Sequence, residues 1–289
     1  MTLNPRLLKR SCTTEEPEAI LSRLHGSRLF SKIDLKDAYL LIPLDESSTE
    51  LTTINTLFGL YRYRFLLFGL SVSPAIFQDI MNATVDSLDG VEIYQDDVII
   101  HASDKKTHDE RLMALLQCFK EANVRVNPQK WALGVTEFNC LRYHVSPTGF
   151  RPDMNRLKGL VDVTSPSNIH ELRSVMGALQ YYSKFIPNFA SVADPLFILL
   201  NSKDFAWTTT HEKVLRKLLS ILTTDAILHP FNPKQRPVLI TDASPSGIGA
   251  VLEQNGYPVV CISRRLTKAE QGYAQTHREA LAVYWAVFR

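Results

Sequence analysis

The sequence predicts a mixed α/β fold whose pattern changes twice along its 289 residues. Short apolar strands and amphipathic helices alternate to about Val145, a largely helical stretch punctuated by prolines follows, and three short strands and a helix close the chain. These changes set expected boundaries at 1–147, 148–235 and 236–289. Hydrophobic residues make up 45% of the chain and charged residues 21%, which excludes a disordered polymer and allows two or three units with real cores.

The elements follow in order. Residues 1–28 are polar, with a helical stretch at 17–24. Phe30-Ser31-Lys32-Ile33-Asp34 reads as a strand with Asp34 just after its apolar residues. Gly69 leaves backbone uncovered for close approach by a ligand. Ser73-Pro74 reads as an N-cap followed by proline at the first helical position, so a helix should start there, with Ile76, Phe77, Ile80, Met81 and Val85 at helical spacing. Residues 107–121 form a second amphipathic helix, with Leu112, Leu115, Leu116 and Phe119 on the side expected to pack behind the sheet. The pattern changes at Ser146-Pro147-Thr148-Gly149, and Asn168 with Glu171 looks like a capping box opening a helix to about Ser183. Strands are expected at 238–241, 248–254 and 257–263, then a helix from Thr276, where Thr276-His277-Arg278-Glu279 is also a capping box.

One tetrapeptide carries chemistry. Tyr94-Gln95-Asp96-Asp97 sets two adjacent carboxylates among Val91, Ile93, Val98, Ile99 and Ile100. Desolvation and mutual repulsion disfavour that arrangement unless the acids sit at a hairpin turn and share a cation. Asp34 has the same setting, so three carboxylates can meet. Hard oxygen ligands with room for water and phosphate suit Mg²⁺, and a pair of such ions can clamp the attacking and leaving oxygens of a phosphoryl transfer. Taken singly, Asp-Asp in a turn is a solvated turn and Asp34 a strand-end residue; the joint pattern favours the metal.

A net charge of +2 and a pI near 8.3 are mildly basic, so phosphate contacts would have to come from local patches, with Arg62, Arg64, Arg142, Lys120, Lys130, Arg264 and Arg265 as candidates. Cys12, Cys118, Cys140 and Cys261 show neither metal-ligand spacing nor a disulfide pattern, which fits a reducing intracellular site and predicts no zinc. No signal pattern opens the chain and no apolar run approaches the roughly 20 residues that span a bilayer, so no membrane association is expected.

Four segments in order resemble the reverse transcriptases of gypsy-type long-terminal-repeat retrotransposons and, more distantly, of retroviruses: residues 30–39, Phe68-Gly69-Leu70-Ser71-Val72-Ser73-Pro74-Ala75-Ile76-Phe77-Gln78, Tyr94-Gln95-Asp96-Asp97, and Asn127-Pro128-Gln129-Lys130. The resemblance continues through Tyr181-Tyr182-Ser183-Lys184-Phe185-Ile186-Pro187-Asn188-Phe189 and Thr241-Asp242-Ala243-Ser244. It implies a polymerase palm with partial fingers at 1–147, a helical thumb and connection at 148–235 that grips the duplex by shape and backbone, and the N-terminal part of a ribonuclease H-like domain at 236–289. The implied activity is RNA-directed DNA polymerisation, a nucleotidyl transfer of dNTPs to a primer 3′-hydroxyl on an RNA or DNA template. Asp34, Asp96 and Asp97 would hold two Mg²⁺, with Mn²⁺ as a substitute.

Residue by residue, the resemblance makes Lys130 the lysine proposed to protonate departing pyrophosphate. Tyr39 would stand where a ribose 2′-hydroxyl would sit, with Asp37 and Ala38 beside it. Phe68 and Gly69 would form the floor beneath the incoming base pair. Tyr94, Gln95, Pro74, Gln78 and Arg142 fall at template and primer positions. Asp242 and Glu279 fall on the first two carboxylate positions of the ribonuclease H metal site. Without the resemblance, Tyr39 is a core tyrosine, Lys130 a solvated loop lysine, and capping accounts for Glu279.

Departures bear on these expectations. Only residues 2–10 correspond to the upstream fingers neighbourhood, and the later ribonuclease H carboxylates fall beyond Arg289, so ribonuclease H activity is not expected. Cys140-Leu141-Arg142 stands where the family has Phe-Leu-Gly at the primer grip, and Leu67 where proline is usual. The alternative is an inactive remnant acting at most as a nucleic-acid-binding or interaction module.

Overall fold

The structure, a computed structural model, describes residues 3–8, 15, 17–224 and 226–289. Cys12, and Thr2, Lys9 and Arg10 of the upstream segment, lie outside the described residues. The chain forms two compact units, Met1–Leu141 and Arg142–Arg289.

The first unit runs α1 (Pro17–Arg23), β1 (Leu29–Asp34), α2 (Glu46–Leu51), β2 (Ile54–Thr56), β3 (Gly59–Tyr61), α3 (Ser73–Val85), β4 (Val91–Tyr94), β5 (Asp97–Ala102), α4 (Lys105–Glu121), β6 (Ala132–Val135) and β7 (Phe138–Cys140). Its sheet has the order β4-β5-β1-β6 and is antiparallel throughout. Ile33, Val98 and Ile100 alternate onto one face and meet Phe77, Met81 and Val85 of α3 and Leu115 and Phe119 of α4. The helical spacing of those residues is why α3 and α4 lie there. Ile80, expected on the same side, is exposed.

Both helix starts differ from the sequence reading. Ser73 is the first helical residue rather than the cap, because its hydroxyl donates to the Leu67 carbonyl (2.8 Å) and Val72 holds the N-cap position. Helix α4 starts two residues early because Asp104 caps it, accepting from the Thr107 N–H (3.0 Å) and hydroxyl (2.9 Å). His108 then turns inward, where its Nε2 lies 2.8 Å from Ser31 Oγ and that oxygen accepts the Gly134 N–H (2.9 Å). With Asp109 beside His108 Nδ1 the trio has the outline of a nucleophile, base and acid. Ser31 is fully buried and His108 nearly so, so the arrangement is closed to substrates and pins α4 and β6 to β1.

The second unit opens on a hairpin, β8 (Tyr143–Ser146) and β9 (Gly149–Pro152), where a helical stretch was expected. Then follow α5 (Met154–Val161), α6 (Ile169–Tyr181), α7 (Phe189–Val192), α8 (Asp194–Leu200), α9 (Thr209–Thr224), β10 (Val238–Ala243), β11 (Gly247–Gln254), β12 (Tyr257–Arg265), α10 (Lys268–Gln271) and α11 (Gln275–Val287), with an antiparallel sheet β10-β11-β12. Phe150 and Leu228 exchange two backbone hydrogen bonds of 2.9 Å, and Gly149 has a φ of +144° with the Leu228 carbonyl where a Cβ would stand. The His229 N–H in turn donates to the Pro258 carbonyl, and the Gln254 amide donates to the Asn232 and Gln235 carbonyls. Residues 226–235 thus tie the hairpin to the sheet. The division between compact units falls at Leu141/Arg142.

Helix α6 is capped by Asn168, which accepts from the N–H groups of His170 and Glu171, but the expected box is not closed, because the Glu171 carboxylate accepts the Ser167 N–H (2.8 Å) and not that of Asn168. At α11 the expected box is absent. Helix α11 begins at Gln275, so Thr276 already lies inside it, and its N-cap residue, Ala274, makes no side-chain cap. The capping box of this region is Thr267 with Glu270, which opens α10.

Candidate active site

Gln95 and Asp96 form a two-residue turn between β4 and β5, with Tyr94 paired to Asp97 and Gln95 at a φ of 53°. Gln78 of α3 aims this hairpin. Its Nε2 donates to the Ile93 carbonyl (2.9 Å), its Oε1 accepts the Gln95 N–H (2.8 Å), and the side chain is buried. Gln78, expected at the template and primer, is therefore engaged by the hairpin itself.

Across the sheet, Asp34 pairs directly with Asp97, and like charges in that register repel. Two ammonium groups answer them. Lys32, two residues before Asp34 and on the same face of β1, places Nζ 2.9 Å from Asp97 Oδ1. Lys130 places Nζ 3.4 Å from Asp34 Oδ1. No ion pair of Asp96 is found among the described residues. Although Asp96 lies at the open tip of the turn, its pKa is raised, first by partial desolvation and then by the charges of Asp97 and Asp34, against a lowering by Lys130.

Tyr39 is not in the strand. It sits in a 3-10 turn, Ala38–Leu41, entered through Asp37 in the left-handed region (φ 56°). Its ring centroid lies 4.7 Å from that of Phe68 and 5.3 Å from that of Phe77. Desolvation and then the charge of Asp96 push the Tyr39 hydroxyl pKa up. Phe68 is 60% exposed. Gly69 has a φ of +89° with open space where a Cβ would stand, so backbone conformation requires glycine there and crowding does not. Asn4 clasps this turn, donating to the Gly69 carbonyl (2.9 Å) and accepting the Ser71 N–H (2.9 Å); nothing in the sequence marks it. Ala38 is buried beneath the turn, which closes its side chain to a nucleotide, and Pro74 is half-buried in the first turn of α3.

The second unit holds the other pair of acids. Asp242 at the end of β10 accepts from Asn188 Nδ2 (2.7 Å), and Gly249, paired with Asp242, leaves the room that the Asn188 amide occupies. Glu279 accepts from Gln275 Nε2 (2.5 Å), which also donates to the Ala243 carbonyl. Among the described residues no three His, Cys, Asp or Glu side chains are grouped to hold a metal ion. At Asp242 and Glu279 no third such side chain joins among the described residues; Asp34, Asp96 and Asp97 adjoin one another where β1 faces β5, without being drawn together into a ligand set. At the latter the reason is visible, since Asp97 and Asp34 each engage a lysine. The donors themselves, three carboxylates, fit a hard divalent cation.

Other candidate cations are also engaged. Arg62 pairs with Glu50, Arg265 with Asp194, and Arg264 with both oxygens of Glu270 (2.8 Å each), which lowers the Glu270 pKa to about 2. Arg142 adopts the left-handed conformation itself (φ 72°), where the family has glycine, and its guanidinium lies 5.3 Å over the Tyr181 ring.

Residues 3–145 match the family model for reverse transcriptase (RNA-dependent DNA polymerase), and residues 207–289 match that for the RNase H-like domain found in reverse transcriptase. The chain belongs to the reverse transcriptase family. Its curated relatives narrow this to gypsy-type retrotransposon polyproteins. It is 32% identical over 285 residues to the retrovirus-related Pol polyprotein from transposon gypsy of Drosophila melanogaster, covering 93% of this chain and 27% of that protein. Against the transposon Tf2-3 polyprotein of Schizosaccharomyces pombe it is 31% identical over 275 residues, with coverages of 92% and 21%. The chain thus spans about a quarter of these relatives' length.

Among solved structures, the foamy viral protease-reverse transcriptase in complex with RNA/DNA hybrid superposes with a TM-score of 0.88, and its dRH form in complex with ds DNA with 0.91. Both are 22% identical, cover 99% of this chain, and are themselves covered to 40% and 51%; the likeness is one of fold. Reverse transcriptases generally use divalent metal ions. No helix among the described residues is long and apolar enough to cross a membrane.

Proposed function

We propose that this chain carries the polymerase centre of its polyprotein and performs Mg²⁺-dependent, RNA-directed DNA synthesis, adding dNTPs to a primer 3′-hydroxyl. The observation that carries the reading is the corner where Asp34 faces Asp97 across β1 and β5 with Asp96 adjacent. The first unit would serve as palm and partial fingers, residues 148–235 as thumb and connection, and residues 236–289 as the beginning of the ribonuclease H-like domain.

Each residue has a role that its placement supports. Asp34, Asp96 and Asp97 would hold the divalent ions, which when bound neutralise charge on the reacting hydroxyl and phosphate oxygens. Gln78 holds the hairpin that carries two of these acids, so the nucleotide meets a fixed surface. Tyr39, backed by Phe77 and Phe68, offers a ring face at the sugar and excludes a 2′-hydroxyl. Exposed Phe68 and the uncovered backbone of Gly69 would lie beneath the base pair, and Tyr94 and Gln95 against the primer end. Lys130, the last residue of a 3-10 turn (Pro128–Lys130), has its Nζ near Asp34, from where it would deliver a proton to departing pyrophosphate.

Primer extension tests this. The chain should extend a DNA primer on an RNA template with Mg²⁺ and dNTPs, and binding of the duplex without extension would overturn the reading. The remnant alternative is not favoured by the family match, and the pairing of Asp34 with Asp97 beside Asp96 supports the polymerase reading. No hydrolysis of RNA paired with DNA is expected, since Asp242 and Glu279 each accept from an amide and no third acid joins them among the described residues.

A further inference from the structure

Lys32 is the one charged group of the corner that the proposed chemistry does not use. It is anchored on the central strand β1, not on a loop, and its side chain is 24% exposed, against 65% for Lys130. The register fixes its task. Asp34 and Asp97 are directly opposed, and the same face of β1 two residues back carries Lys32, whose Nζ reaches Asp97 Oδ1 at 2.9 Å. Counting Asp34, Asp96 and Asp97 against Lys32 and Lys130, three negative charges meet two positive ones.

We propose that Lys32 is a built-in counter-ion of this corner, a positioning residue that holds Asp97 in place in the metal-free protein and competes with divalent cations for that carboxylate. The inference rests on the polymerase reading for the identity of the metal corner, but not on catalysis. It follows from the same physics that makes the acids a metal site. An ammonium fixed beside Asp97 relieves the repulsion between Asp34 and Asp97, and by the same interaction it opposes a second cation arriving at the same oxygens. Lys32 thereby sets the ion concentration at which the corner fills, and keeps the hairpin in register until it does.

The test is Mn²⁺ binding to the 289-residue chain, followed by loss of the free-ion electron paramagnetic resonance signal, for the wild type, Lys32→Met and Lys32→Arg. Lys32→Met should bind Mn²⁺ at least about tenfold more tightly, the scale expected for removing a unit charge a few ångströms from a divalent ion, and Lys32→Arg should stay near the wild type. Thermal melts give a second readout that also checks folding. Without metal Lys32→Met should melt below the wild type, and saturating Mn²⁺ should raise its melting temperature by more than it raises that of the wild type. Equal or weaker Mn²⁺ affinity in Lys32→Met would overturn the proposal, as would absence of Mn²⁺ binding in all three proteins. The polymerase reading fails separately: an affinity shift without primer extension by the wild type leaves Lys32 as counter-ion and removes the polymerase, whereas extension without an affinity shift does the reverse.

Discussion

Two corners of this molecule place an aspartate at or next to a strand end, and their partners differ in charge. At the end of β1, Asp34 and Asp97 face each other and each touches an ammonium, while Asp96 beside them has a raised pKa. At the end of β10, Asp242 accepts from the Asn188 amide and Glu279 from the Gln275 amide. Neutral amides satisfy the oxygens of isolated carboxylates and leave no net demand for a cation. Three acids gathered at one sheet end need positive charge, and the two lysines supply only part of it. On the proposed reading, a carboxylate at a strand end is not enough; crowding with other acids is what would make it a metal ligand.

The widest separation between the corners should appear in catalysis. Asp34→Asn and Asp96→Asn should each lower primer extension by about 10³-fold or more, since several kcal/mol of charge stabilisation goes with the ion, whereas Asp242→Asn should leave the rate within about twofold. Comparable losses from Asp96→Asn and Asp242→Asn, in single-turnover extension, would erase the distinction. Next in size is the support of the first corner. Gln78→Ala strips the Ile93 carbonyl and the Gln95 N–H of their side-chain partner inside a buried site, at a cost of about 2–4 kcal/mol in urea unfolding. A loss under about 1 kcal/mol would show that the hairpin holds its own shape.

The capping box near the chain's last helices differs from the one the sequence suggested. Thr267→Ala should cost about 1 kcal/mol, and Thr276→Ala, inside α11, less than about half that; the reverse order would restore the capping role to Thr276. The smallest effect is electrostatic. Because the folded-state pKa of Asp96 lies above its ordinary value, the native state binds that proton more tightly than the unfolded chain does. Stability therefore falls as pH rises from the ordinary carboxylate pKa through the raised one. Asp96→Asn should remove that decline and melt above the wild type at neutral pH without metal. A wild-type melting temperature that instead climbs across that interval relative to Asp96→Asn would contradict the assignment.

Much of this was legible in the sequence, for identifiable reasons. Strand β1 and the β4-β5 hairpin announce themselves by acids interrupting apolar residues, and α3 and α4 by Phe77, Met81, Leu115 and Phe119 at helical spacing. What stayed hidden depends on tertiary partners. Lys32 reads as an ordinary outward strand residue until the register puts it beside Asp97. Asn4 lies 65 residues from the turn it clasps, and Gln78 17 residues from the N–H it accepts. The β8-β9 hairpin carried its turn signal at Ser146-Pro147-Thr148-Gly149, but its strands of four residues are too short to show a period. At Thr276 the motif was present and the helix began one residue before it, a difference that sequence pattern cannot resolve.

The central claim, that the Asp34, Asp96 and Asp97 corner and not the Asp242 corner takes up divalent cations, is tested most directly by Mn²⁺ titration of the wild type, Asp34→Asn/Asp96→Asn and Asp242→Asn/Glu279→Gln. Saturable binding should vanish in the first double variant and persist unchanged in the second. Binding that survives in the first and disappears in the second would contradict the account.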